Sequence, residues 1–326
     1  MLRSFMISIK TAQAVARHWE IDVKALRPDL VLQGSPERCL CRTAFEDAAG
    51  RVFVLEKISP AQLETKRLIC RVLDHLCAHG LNQVVPYLKT TEGACPSFCQ
   101  EGWWQVSPFV SGTPLDRPAY IQDGPKGKAL ARFLCNLTRH AETIPHDPVL
   151  PCFSLKRYII GMEHQMGQHD PEVGRRVLPV LDFLKNSFMD RHDTLATAFC
   201  HGDYHPLNVI WQDDAVSAVI DWEFCGIKPD IYDAANLVGC VGMEHPSGLT
   251  GGLALSFIDA MRRNAPVNAQ SWKVFAGFVL ALRFAWLAEW LRKKDHEMID
   301  LEIVYMHLLM DNVEALKQAW GLSTAG

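Results

Sequence analysis

The sequence predicts an α+β protein with two domains, and three observations support this prediction. The 326 residues are about twice the length of a typical domain, and the 48% apolar content is enough to fill two cores. Segments of strand-like alternation lie before residue 110, whereas helical apolar spacing dominates after it. A Pro- and Gly-containing stretch, 108–114, separates the two regions, so we expect domains at 1–107 and 108–326.

The predicted N-terminal domain is an antiparallel sheet that carries one long helix. The helix spans 61–78, where apolar residues fall mainly on one side, and Gly80 ends it. A shorter helix at 11–20 precedes the sheet. The five strands are expected at 30–32, 39–45, 51–58, 84–89 and 103–109.

The predicted C-terminal domain is mainly helical and contains one hairpin. Two short apolar segments, 209–212 and 216–220, are joined by Asp213-Asp214-Ala215, a combination that is typical of a β-hairpin. Apolar spacing predicts helices at 127–138, 155–168, 172–188, 231–238, 253–262, 272–293 and 299–320.

The charge balance argues against a nucleic acid or a membrane as partner. The formal net charge is -4, from 33 Lys and Arg against 37 Asp and Glu, and no long run of one sign occurs. The most apolar run, 274–282, ends at Arg283 and is too short to span a bilayer. We therefore expect a small-molecule partner.

The 11 cysteines are odd in number and show no spacing typical of a disulfide framework, which favours a reducing cytoplasm. The apolar residues of Met1–Lys10 form a run that is too short and too interrupted for the apolar region of a secretory leader. A zinc site is the alternative use of some thiols, but alternation within a predicted strand favours core packing for two of them. The four thiols in question are Cys39, Cys41, Cys95 and Cys99.

Three oxygen-bearing side chains stand close together in the sequence at the hairpin. Asp203 follows His201-Gly202, Asn208 stands directly before the first hairpin strand, and Asp221 follows the second. In an antiparallel hairpin the residues that flank its two strands are neighbours, so we expect Asn208 beside Asp221. Phosphoryl transfer needs a base that faces the attacking hydroxyl and metal ions held against phosphate oxygens, and these residue types can supply both.

The pattern His-x-Asp-x4-Asn, with an apolar strand that ends in Asp, resembles the catalytic and metal-binding loops of the protein-kinase-like superfamily. His201-Gly202-Asp203 is most similar to the branch of aminoglycoside phosphotransferases, choline kinases and type II homoserine kinases. The resemblance implies a two-lobed protein-kinase-like fold with ATP and Mg as cofactors. It also implies that Asp203 is the catalytic base and that Asn208 and Asp221 are Mg ligands.

Four further residues near the motif have alternative interpretations. His201 is expected to hold the loop by hydrogen bonding, and His205 either approaches the phosphates or is structural. Glu223 either supports the metal or substrate or is a solvated loop acid. Asp233 resembles the buried acid that braces the catalytic loop in this superfamily.

The resemblance to the superfamily is weaker in the N-terminal domain. It implies a strand lysine that contacts the nucleotide phosphates and pairs with a helix glutamate, and Lys57 and Glu64 are the candidates. Surface positions are the alternative for both, and Glu56 stands where many relatives have the basic residue. Gly34-Ser35 opens the expected phosphate-covering turn, although no G-x-G-x-x-G motif is present.

The resemblance also places the nucleotide base and the acceptor. The base is expected against backbone groups of 107–110, with Ser107 and Phe109 as the named contacts. The aromatic helix 272–293, with Trp286 and Trp290, either lines the acceptor site by cation–π contacts or is plain core, and core is favoured.

Three functions are compatible with this motif. A small-molecule kinase would transfer the γ-phosphate of ATP to the hydroxyl of an amino alcohol, amino acid, sugar or aminoglycoside-like compound. A protein Ser/Thr kinase is the first alternative, although the sequence lacks an A-P-E element after Asp221. A nucleotide-binding protein without turnover is the second.

Overall fold

In the computed structural model, residues 7–141, 144 and 150–322 are described. The chain divides into two compact units. The first contains Met1–Pro114, Arg139–Leu150 and Leu207–Cys225, and the second contains Leu115–Thr138, Pro151–Pro206 and Gly226–Gly326. The hairpin therefore belongs to the first unit, whereas the sequence-based division at 107/108 assigned it to the C-terminal domain. Part of Met1–Lys10, about which a prediction was made, lies outside the described residues.

Strands and helices occupy most of the expected positions. The strands are β1 Val23–Leu26, β2 Cys41–Asp47, β3 Val52–Ile58, β4 Ser97–Cys99, β5 Gly102–Pro108, β6 Thr197–Cys200, β7 Val209–Gln212, β8 Ala215–Val219 and β9 Gly226–Pro229. The helices are α1 Ile9–Ala16, α2 Leu63–Ala78, α3 Gly124–Ala141, α4 Leu155–His169, α5 Pro171–Leu184, α6 Asp190–His192, α7 Tyr232–Glu244, α8 Gly252–Asn264, α9 Ala269–Lys273, α10 Phe275–Lys293, α11 His296–Asp311 and α12 Val313–Ala319.

The five-stranded sheet of the first unit is antiparallel, with the strand order β1-β2-β3-β5-β4. The number of strands is as predicted, but two members differ. The predicted strand at 30–32 is wrong, because the first strand is β1. The predicted strand at 84–89 is also wrong: Val84 makes one isolated bridge to Val219, and Pro86 has no N–H to extend it.

The core of the first unit lies between α1 and the sheet. Ser8 caps α1 by accepting the N–H of Thr11 at 3.1 Å, which fixes where the helix begins. The helix then buries its apolar side against the strands, with Val15, Phe45 and Leu55 completely buried. Burial of an aliphatic or aromatic side chain stabilises a fold by about 1.5–3 kcal/mol, so this contact holds α1 on the sheet.

The second unit is built around α10, in which the residues from Phe275 to Phe284 are buried except Gly277, whereas Trp286 and Trp290 are only partly buried. The prediction that its aromatic residues are mainly core is confirmed for Phe275, Phe278 and Phe284, each of which is completely buried. One charged residue of α10 is also buried: Arg283 donates to both carboxylate oxygens of Glu302 on α11, at 2.6 and 2.7 Å. Burial is tolerated here because the pair is bidentate.

No helix among the described residues is both long enough and apolar enough to cross a membrane. Cys70 on α2 forms a disulfide with Cys95, 25 positions later in the sequence. Cys95 is therefore not available for the four-thiolate zinc site that was considered as an alternative.

Candidate active site

The loop that follows β6 is held by a buried carboxylate in the first turn of α7. Asp233 accepts the backbone N–H of His201 at 2.7 Å and that of Gly202 at 2.8 Å, which is the bracing that the sequence predicted. Burial raises the pKa of Asp233 to about 6, although the two amide hydrogen bonds oppose this shift. The carboxylate therefore stays ionised at neutral pH and fixes the loop.

His201 also holds this loop, as expected. It is completely buried, and its Nδ1 atom accepts the backbone N–H of Asp203 at 3.2 Å. This hydrogen bond ties the buried ring to the backbone at Asp203. Its role in the structure is to orient Asp203.

Asp203 lies in a mostly buried position, with 15% of its side chain exposed. One carboxylate oxygen is 3.6 Å from Nε2 of His205, which is longer than a hydrogen bond. Burial lowers the pKa of His205 to about 4, and its ring lies 6.2 Å from that of Trp286. At neutral pH, therefore, His205 places an uncharged ring beside Asp203.

Two residues that the sequence analysis missed complete the support of the loop. Tyr204 is completely buried and donates its hydroxyl to the carbonyl of Leu130 at 3.1 Å, and the Asn236 amide donates to the carbonyl of Tyr204 at 3.2 Å. Asn236 follows Asp233 by three positions on α7, so both side chains lie on one helix face. This polar pair within an apolar helix was the signal that could have identified Asn236.

In the first unit, the β7–β8 hairpin positions Asn208 and Asp221. Val209 pairs with Val219, and the N–H of Ile220 donates to the carbonyl of Asn208 at 3.0 Å. Asn208 therefore lies opposite Ile220, and Asp221 is the next residue at the same open end of the hairpin. The two residues are therefore near each other along the backbone, but Asn208 is opposite Ile220 and not opposite Asp221 as the hairpin pattern predicted.

The Gly34-Ser35 turn packs directly on Asp221. The N–H of Ser35 donates to one Asp221 oxygen at 2.8 Å, and a Cβ atom at Gly34 would lie 2.8 Å from the other. Both Gly34 (φ +87°) and Asp221 (φ +65°) have left-handed backbones, which is uncommon for a residue other than glycine and is frequent at functional sites. Arg42 holds the same turn by donating to the Gly34 carbonyl at 2.9 Å.

A cavity of about 640 Å³ lies within the first unit, a size that suits a small-molecule ligand. Asp221 lines it, together with Ser107 and Phe109, the residues that were expected to contact the nucleotide base. Most of the other walls are apolar. They include Leu30, Val54, Leu73, Val85, Val110, Ile210 and Val219.

The predicted pairing of Lys57 with Glu64 is wrong. Side chains alternate along a strand, and on β3 it is Glu56 that lines the cavity, whereas the Lys57 ammonium lies 5.3 Å from the Trp104 ring. Glu64 is largely exposed and pairs with Arg67 at 2.7 Å. Neighbouring residues on a strand point to opposite faces of the sheet. Because Glu56 faces the cavity, Lys57 faces away from it.

The buried cation that the structure does place near this cavity is Lys66 on α2, which was not among the sequence predictions. It forms a hydrogen-bonded ion pair with Glu223, and only 2% of its side chain is exposed. Burial lowers its pKa, but Glu223 and Glu56 outweigh that effect, so the pKa of Lys66 is raised and the ammonium is charged. Lys66 occupies the apolar stripe of α2, three residues before buried Ile69, and this was the available signal.

Negative charge is concentrated around this part of the cavity. Burial raises the pKa of the Tyr87 hydroxyl, and the carboxylates of Glu56, Glu223 and Asp221 raise it further. Among these, Glu56 accepts a hydrogen bond from Gln105 at 2.6 Å and Glu223 pairs with Lys66. Arg42 also lines the cavity, so the three carboxylates exceed the cations Arg42 and Lys66 by one, and this excess favours a bound cation over a bare anion.

Asn208 and Asp221 could supply some, but not all, of the ligands of a magnesium ion. Carboxylate and amide oxygens are the ligands that Mg²⁺ prefers, and Mg²⁺ is commonly held by one or two protein groups plus substrate phosphates and water. In the part of the chain that the structure describes, no group of three or more His, Cys, Asp or Glu side chains is arranged to bind a metal. The donor set is therefore of the kind that binds a metal together with a nucleotide.

The antiparallel sheet with its helix, the helical second unit and the braced loop define a protein of the kinase-like phosphotransferase class. Residues 42–267 match the model of the phosphotransferase enzyme family, APH. Since this is more than half of the chain, the protein belongs to that family.

Solved structures are similar over almost the whole chain. An aminoglycoside phosphotransferase from Alicyclobacillus acidocaldarius is 16% identical, with a TM-score of 0.66 and coverage of 98% of this chain and 99% of the other. Amicoumacin kinase hAmiN, solved with AMP-PNP, Ca²⁺ and Ami, is 14% identical, with a TM-score of 0.67 and coverage of 93% of this chain and 92% of the other. Choline kinase LicA from Streptococcus pneumoniae is 15% identical, with a TM-score of 0.62 and coverage of 93% of this chain and 98% of the other. No curated protein sequence matches significantly. At these identities, the solved structures establish the fold.

Proposed function

We propose that this protein transfers the γ-phosphate of ATP, with Mg, to a hydroxyl group of a small molecule. The observation that carries the proposal is the position of Asn208 and Asp221 at the open end of one hairpin, where Asp221 lines a cavity of nucleotide size. Membership of the phosphotransferase family and the braced Asp203 loop support the same reaction.

Asp203 is proposed to orient the acceptor hydroxyl and to accept its proton on a carboxylate oxygen. The acceptor oxygen forms a bond to the γ-phosphorus, and the bond from that phosphorus to the β,γ-bridging oxygen breaks, which releases the nucleoside diphosphate. His201 keeps Asp203 in place through its backbone N–H, and neutral His205 adds no positive charge that would lower its basicity. The loop therefore presents the Asp203 carboxylate beside an uncharged ring.

Asn208 and Asp221 are the residues that would hold the metal. When bound, Mg²⁺ would supply positive charge to neutralise the transferred phosphate. The chain's own contribution is to present two hard oxygen ligands from a hairpin whose strands are paired up to Val209 and Val219. The apolar walls around Ser107 and Phe109 suit a nucleotide base.

The test is a screen for Mg-ATP consumption over amino alcohols, amino acids, sugars and aminoglycosides, with Asp203→Asn as the blank. Asp213→Asn is the matched control, because Asp213 lies in the exposed turn of the same hairpin and Asn tolerates its positive φ of 54°. We expect transfer to one acceptor class, its loss in Asp203→Asn and its retention in Asp213→Asn. Equal consumption by wild type and Asp203→Asn, or transfer into lysate proteins instead of metabolites, contradicts the proposal.

A nucleotide-binding protein without turnover is the second candidate, because Glu56 instead of a lysine faces the cavity. The two candidates differ in what Asp221→Ala should do. For the enzyme, this variant abolishes phosphate transfer while metal-free nucleotide binding survives. For the binding protein, the wild type itself binds ATP and transfers nothing.

A further inference from the structure

The ion pair between Lys66 and Glu223 connects α2 to the turn that directly follows Asp221. The Lys66 ammonium is nearly inaccessible, and 12% of the Glu223 side chain is exposed. Within the described residues, the second carboxylate oxygen of Glu223 is buried without a hydrogen-bond partner. Lys66 is therefore the group that balances the negative charge of Glu223.

A buried ion pair of this kind adds little to stability, since desolvation of both groups offsets their attraction. Removal of one partner is nevertheless costly, because it leaves a buried charge alone. Such pairs have their best-established use in fixing one arrangement among several. What this pair fixes is the conformation of the segment around Glu223.

That segment is short and tightly connected to Asp221. Trp222–Phe224 forms a single turn of 3₁₀ helix, closed by the N–H of Cys225, which donates to the Trp222 carbonyl at 3.0 Å. The Trp222 indole also donates to the carbonyl of Val219 at 2.9 Å. Asp221, at the start of this turn, is in the left-handed conformation, which is about 1–2 kcal/mol unfavourable for a residue with a side chain. Contacts on both sides of Asp221 must therefore maintain that conformation.

We infer that Lys66 is a positioning residue for the metal ligand: through Glu223 it keeps the Asp221 carboxylate directed into the cavity. The inference rests on the proposed function. The buried ammonium of Lys66 belongs to helix α2, whereas the residue of β3 that faces the cavity is an acid, Glu56. Glu56 and Asp221 both line the cavity, and Arg42 is on the same wall, so a divalent cation would offset the carboxylate charge that phosphates meet there.

The test uses Mn²⁺ in place of Mg²⁺ and a non-hydrolysable ATP analogue, so that binding is measured by electron paramagnetic resonance without turnover. Lys66→Met should weaken Mn²⁺ binding by about 10–100-fold, the range typical of groups that orient metal ligands. It should also lower the unfolding midpoint, since Glu223 is left unpaired. Lys89→Met is the matched control, because Lys89 forms an exposed ion pair with Asp74 of the same helix; it should change neither quantity.

The double variant Lys66→Met/Glu223→Gln separates positioning from a merely structural role. It removes both charges, so the unfolding midpoint should recover, whereas Mn²⁺ affinity should stay low. Recovery of both quantities overturns the inference, as does an unchanged Mn²⁺ affinity in Lys66→Met. If the wild type transfers phosphate to no acceptor, the proposed function fails, but the Mn²⁺ titration still tests the role of Lys66.

A charge exchange tests which carboxylate Lys66 serves. In Glu56→Lys/Lys66→Glu, the strand and helix charges are exchanged, and the introduced helix carboxylate faces Glu223. We expect Mn²⁺ affinity to remain as low as in Lys66→Met. Wild-type affinity in this variant would show that Lys66 serves Glu56 and would overturn the inference.

Discussion

Substitution of Gly34 by alanine tests whether the Gly34-Ser35 turn is fitted to Asp221. Gly34 has φ +87°, and an alanine in the left-handed region costs about 1–2 kcal/mol. The added Cβ would lie 2.8 Å from the Asp221 carboxylate and displace it from the Ser35 N–H, a charge-assisted bond that contributes about 1.5–3 kcal/mol. The two terms sum to about 2.5–5 kcal/mol, so the equilibrium constant for the native turn should fall by about 70-fold or more.

The matched control is Gly50→Ala in the β2–β3 loop. Gly50 has nearly the same backbone, with φ +80°, but a Cβ there would meet no atom within 4 Å. It should therefore show only the backbone cost, as a lower unfolding midpoint with unchanged nucleotide binding.

The assay is KM for ATP, or the dissociation constant of a non-hydrolysable analogue, together with thermal unfolding of both variants. For Gly34→Ala we expect nucleotide affinity to fall by about tenfold or more, in line with the loss of the native turn. The reasoning is refuted if Gly34→Ala and Gly50→Ala lose the same stability and neither changes nucleotide affinity.

Three further predictions concern the support of the fold. The pKa of Asp233 is raised from an ordinary 3.8 to about 6, so the folded state holds this proton more tightly than the unfolded state does and loses stability relative to it as pH rises from about 4 to about 6. Across this range the unfolding free energy in urea should fall by about 3 kcal/mol more in wild type than in Asp233→Asn. Cys95→Ser should lower stability by about 3.5 kcal/mol, from the 25-residue separation to Cys70, and wild type in reductant should match it. Arg283→Met should cost about 3–5 kcal/mol in unfolding free energy by leaving Glu302 buried and unpaired, and Arg283→Met/Glu302→Gln should recover most of this loss.

Local pattern was sufficient to predict the elements that depend on neighbours in the sequence. Helix α2 and strand β3 lie within two residues of their predicted bounds, because both follow from apolar spacing and adjacent turns. The β7–β8 hairpin was predicted for the same reason, since its two strands are joined by a turn of two residues, Asp213-Asp214.

Elements and contacts that depend on distant partners were not predictable in this way. Strands β6 and β9 were missed because each has only four residues and they pair across 25 intervening residues. The apolar residues at 84–89 were interpreted as a strand, but Val85 and Tyr87 line the cavity instead. Excluding Lys57 required knowledge of which face of β3 meets the cavity, and strand alternation alone does not supply it.

The same limit explains why the motif did not by itself separate structural from functional acids. Asp233 is buried and accepts two backbone N–H groups, so both of its oxygens are used within the fold. Asp221 accepts the N–H of Ser35, lines a cavity and has a strained backbone, an arrangement that stores free energy at a position where a ligand can use it. Both are aspartates within or near one motif. Access to the cavity distinguishes Asp221, which is positioned to bind a cation, from Asp233, which is sealed within the fold and holds the chain.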